Sequence, residues 1–215
     1  MLHGFKKKNF FIHYISGLIV GAVMVSASIL ILKYLGAVSI TPCENVNYMV
    51  IVLFFIGFIV QGMSEEFIFR GYLFTSVGSS GHHTMLAVIT SSIAFGIAHN
   101  ETESFTIFYF IYTILFGVFS ALYMTLFDNI WGVCAIHSMW NFATVNVYGS
   151  SQNYVRESIM RTTSIANNSY LTGREYKIAD NIFSSIIIGI GIIIVSILLF
   201  IKYKISKPEP TEHHV

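Results

Sequence analysis

Six apolar runs constrain this chain more than any other feature, because most are long enough to cross about 30 Å of hydrocarbon as helices. They lie near Phe10–Leu35, Tyr48–Val77, Thr84–His99, Phe105–Phe127, Asn129–Tyr148 and Ile182–Ile201. The third and fifth are the shortest or most polar. The expectation is an all-α, multi-pass membrane helical bundle of about six transmembrane helices, one integral membrane domain over residues 1–215. Only 11% of the 215 residues are charged, against roughly 25% in soluble domains, so the chain lacks the polar surface to live in water. The lipid bilayer is its first expected partner. A formal net charge of +1 offers no basic field for nucleic acid. Nothing in the pattern sets an oligomeric state.

Lysines suggest the direction of insertion. Lys6, Lys7 and Lys8 precede the first run, and Lys202, Lys204 and Lys207 close the last. Both ends therefore belong in the cytoplasm of a cell-membrane protein, which an even number of crossings satisfies. The first run outlasts the apolar core of a signal peptide and reads as a retained helix. The 149–181 loop then faces outward, although Arg156, Arg161, Arg174 and Lys177 sit poorly there. The 208–215 tail reads as disordered. Cys43 and Cys134 form no metal knuckle and read as structural, and His82-His83 reads as a solvated turn. Gly17 and Gly21 make a small-xxx-small step suited to close helix packing.

Charges occur where lipid penalises them. The second run contains Glu65, Glu66 and Arg70. Each charge at bilayer depth costs roughly 2.5–3.5 kcal/mol, so these groups need partners or a purpose. Glu66 and Arg70, four apart, share a helix face and can pair. Glu65 lies about 100° round the helix from Glu66 and is free to face something else. His99 closes the third run, and His137 and Asn141 share one face of the fifth.

At 1.5 Å per residue, Glu65 lies about 18 Å from Val77, His99 about 22 Å from Thr84, and His137 and Asn141 about 12 and 18 Å from Asn129. With tilt, all four fall in one layer and can face a common polar cavity. A structural ion-pair network is the bland alternative. A carboxylate and an imidazole flanking a water can deprotonate it for attack on a carbonyl. A second histidine with an asparagine can hold the resulting oxyanion. A metal site is also open: Glu65, His99 and His137 could bind zinc, though no HExxH motif singles it out. Otherwise no cofactor is expected.

Glu65-Glu66-x-x-x-Arg70, Phe95-x-x-x-His99 and His137-x-x-x-Asn141 resemble the motifs of the CAAX protease and bacteriocin-processing (Abi) family. The likeness covers about Ile51 to Val147 and includes Ile130-Trp131 and Trp140-Asn141. It implies an intramembrane endopeptidase acting on membrane-associated peptides or small proteins, in CAAX-type processing, bacteriocin maturation or self-immunity. It further implies Glu65 as the water-activating glutamate assisted by His99, with His137 and Asn141 as the oxyanion hole. Glu66 and Arg70 would support them, and no metal would be required. Six runs are fewer than the eight helices typical of larger members. A non-enzymatic immunity or binding protein is the alternative, followed by a proton-coupled transporter, for which the repeat symmetry is missing.

Overall fold

The computed structural model describes residues 6, 8–79, 84–99, 107–149, 157–166, 171 and 181–206. The fold is a membrane-spanning helical bundle with one small sheet. Its elements in chain order are α1 (Phe10–Tyr34), β1 (Val38–Pro42), α2 (Tyr48–Glu66), a π-helical stretch (Phe67–Phe74), α3 (Thr75–Ser79), α4 (Thr84–Ala98), α5 (Ile107–Phe127), α6 (Trp131–Phe142), a second π-helical stretch (Ala143–Val147), β2 (Met160–Ser164) and α7 (Ile182–Ser206). Tyr48–Ser79 runs unbroken for 32 residues, and with α1, α5 and α7 gives four helices long and apolar enough to span a bilayer. The other two runs are shorter. α4 has 15 residues, and the fifth begins at Trp131 rather than Asn129. There the Asn129 side chain accepts from the Trp131 N–H at 2.9 Å and occupies a backbone donor that helix starts leave free.

Local chemistry sets the other ends. Asn47 caps α2 by accepting from the Val50 N–H. After α1 the chain turns at Gly36, whose φ of 70° suits a residue without Cβ. The Ala37 N–H then returns to the Leu32 carbonyl at 2.9 Å.

α6 is the pivot of the bundle, packed against both α1 and α2. Small residues allow the approach: a Cβ on Gly17 would collide with the Gly132 carbonyl, and one on Gly21 would lie 2.7 Å from the Ile136 carbonyl. On the other flank, a Cβ on Gly62 would lie 2.6 Å from Ser138 Oγ. α5 pairs with α4 on one side and α7 on the other.

The 149–181 segment, expected as loop, holds a strand. β2 pairs antiparallel with β1, Val38 opposite Ser164 and Pro42 opposite Met160. This ribbon joins the α1–α2 connection to the α6–α7 connection at one end of the bundle. At the other end, Lys6 pairs with Asp128, the Trp131 indole donates to the Lys6 carbonyl at 3.1 Å, and Lys202 donates to the Leu126 carbonyl at 2.5 Å. The start of α1 and the end of α7 thus share one end, as an even number of crossings requires. His82, His83 and the 208–215 tail lie outside the described residues.

Candidate active site

Glu65 sits in the last turn of α2, His99 just past the end of α4, and His137 in the middle of α6. Three helices therefore present one side chain each to a common point. Glu65 Oε2 lies 3.2 Å from His99 Nε2 and 3.7 Å from His137 Nε2. The side chains of Glu65 and His99 keep 20% and 25% of their surface open, while His137 keeps 4%. The first two are the reachable part of the cluster.

Both imidazoles are oriented through their other nitrogen. His99 Nδ1 meets the Phe95 carbonyl at 2.9 Å, and His137 Nδ1 meets Glu66 Oε1 at 2.8 Å. A carbonyl can only accept, as can a carboxylate ionised by an arginine, so Nδ1 carries the hydrogen in each ring. Each Nε2 is left to face Glu65. Two imidazole lone pairs and a carboxylate oxygen converge, and this arrangement requires a positive centre among them, a proton or a metal ion.

Glu66 and Arg70 make a sealed layer beneath. Both side chains are fully buried. Arg70 Nη1 reaches Glu66 at 3.2 Å, and Nη2 donates to the Gly117 carbonyl on α5 at 3.1 Å. The guanidinium also lies over the Phe95 ring, 4.5 Å from its centroid. Phe95 in turn packs against both histidine rings. Glu66 thus couples Arg70 to His137, a link that the i,i+4 spacing of Glu66 and Arg70 does not reveal.

Asn141 lies one turn beyond His137 on the same helix, half-buried, and its side chain makes no hydrogen bond among the described residues. Gln61, which sequence reasoning passed over, donates to Glu65 Oε1 at 3.0 Å. Its signal was a lone amide one turn ahead of the glutamate in an apolar helix.

The donor set also suits zinc. Three donor atoms from Glu65, His99 and His137 lie within 4.8 Å of one another. Tetrahedral zinc, with bonds of about 2.0–2.1 Å, spaces its ligands roughly 3.4 Å apart, and the 3.2 and 3.7 Å separations are close to that. His137 would be oriented by Glu66, as metal-bound histidines commonly are by a carboxylate.

The fold and the cluster define a class: a membrane-embedded helical protein with a buried glutamate–histidine centre built on adjacent helices. Residues 47–143 match the Rce1-like family, described as type II CAAX prenyl endopeptidase. The match contains all seven residues that define the three motifs. No curated protein and no solved structure matches the chain.

Proposed function

We propose that the chain is an intramembrane endopeptidase in which Glu65 activates the attacking water. The observation that carries this reading is the meeting of Glu65 Oε2 with the two imidazole Nε2 atoms, in a cluster whose Glu65 and His99 side chains keep 20% and 25% of their surface open. As the water oxygen bonds to the scissile carbonyl carbon, its proton passes to Glu65, which His99 orients. The carbonyl oxygen becomes an oxyanion, with the Asn141 amide and His137, carrying a proton at Nε2, as its donors. When the C–N bond breaks, the proton on Glu65 goes to the leaving amine.

Charge balance favours this over a metal. With neutral imidazoles, Glu65, Glu66 and Arg70 leave the layer one negative charge. One proton held among His137 and its two flanking carboxylates neutralises the layer, while a divalent ion does so only together with an added anion. The zinc reading stands second on the donor geometry. In it Glu65, His99 and His137 would hold the ion, which would supply Lewis acidity at the scissile carbonyl.

The family suggests the substrate: a prenylated peptide ending in a CAAX sequence. We place the lysine-rich end in the cytoplasm, which a reporter fused after Ser206 tests. The decisive experiment uses the full chain in proteoliposomes with an internally quenched farnesylated CAAX peptide. Cleavage by the parent, lost in Glu65→Gln and retained after exhaustive chelation, is expected. Equal cleavage by Glu65→Gln would refute the protease reading. Loss on chelation with recovery on added zinc would select the metal mechanism.

A further inference from the structure

One polar group in the wall of the site has no place in the motifs. Gln61 lies in the α2 segment Ile-Val-Gln-Gly-Met, four residues before Glu65, so the two side chains share a helix face. Its side chain is exposed, although its neighbours along the helix are apolar. A carboxylate only accepts, so the 3.0 Å contact has the Gln61 amide nitrogen donating to Glu65 Oε1. The other carboxylate oxygen, Oε2, is the one that faces His99 and His137.

We infer that Gln61 is a positioning residue for the reaction. It holds one oxygen of Glu65 and thereby aims the other at the imidazole pair. Without it, the glutamate side chain is free to rotate toward the open side, where nothing else among the described residues holds Oε1. Being exposed, Gln61 contributes little to packing, so its effect falls on the reacting geometry. This rests on Glu65 being the water-activating group.

The test is steady-state kinetics of the full chain in proteoliposomes on the farnesylated CAAX peptide. Gln61→Leu and Gln61→Glu, both lacking the donor, are expected to lower kcat about tenfold, the rate equivalent of one hydrogen bond to a charged group. KM and thermal midpoint should stay near parental values. Gln61→Lys, which keeps a donor of similar reach, is expected to recover kcat to within about threefold of the parent. Parental kcat in Gln61→Leu, with Glu65→Gln inactive, would overturn this inference alone. A raised KM with unchanged kcat would overturn it in favour of substrate contact. Activity in Glu65→Gln, or none in the parent, would remove both readings.

Discussion

Glu65 and Glu66 are neighbours in sequence, yet the fold gives them opposite surroundings. Glu66 is fully buried, held by Arg70 on its own helix and by His137 from α6. Glu65 is partly open, with Gln61 at one oxygen and two imidazoles near the other. A helix turns about 100° per residue, so adjacent positions can serve a sealed framework and an accessible centre at once. The contrast separates stability from chemistry: the sealed half orders the helices, and the open half has the exposure a substrate requires.

That division can be broken experimentally. The largest effect on the fold is expected from Arg70→Met, which strands Glu66 as an uncompensated buried charge. It should cost about 3–5 kcal/mol in detergent unfolding, and adding Glu66→Gln should recover much of it. Glu65→Gln should do the reverse, lowering kcat/KM by about 10²–10⁴-fold while leaving the unfolding midpoint near the parental value. If Glu65→Gln unfolds the protein as Arg70→Met does, the two halves are one structural network. Gly62→Val presses a branched side chain onto Ser138 and should cost about 1–3 kcal/mol, with a matching loss of activity as α6 and His137 shift away from α2. The smallest change is expected for Lys6→Gln. Its pairing with Asp128 is exposed, and exposed pairs contribute about 0–1 kcal/mol.

Much of this was legible in the chain because helix length and rise are nearly fixed. Counting residues from the ends of the apolar runs put Glu65, His99 and His137 at similar depth, and the structure brings those three together. Asn141 shares the His137 face by the same counting, and its side chain makes no hydrogen bond among the described residues. Glu66 facing His137 was hidden, since i,i+4 spacing names a partner on the same helix and says nothing of the neighbouring one. The β1–β2 ribbon was hidden more deeply. Val38–Pro42 and Met160–Ser164 lie about 120 residues apart, and β2 is fixed by tertiary contacts such as Thr162 Oγ1 donating to the Tyr148 carbonyl at 2.5 Å. The π-helical stretches after Glu66 and Phe142 carry no compositional mark either.

The ribbon has a mechanical consequence. It fastens the α1–α2 and α6–α7 connections across the top of the bundle, like a buckle, so those helices cannot part at that end without tearing a five-residue ladder. α4 lies outside the fastening and packs chiefly on α5 and the π-helical stretch. Of the three residues that meet at the cluster, Glu65 and His137 lie on helices bordering the connections that the ribbon joins, whereas His99 follows a helix that borders neither.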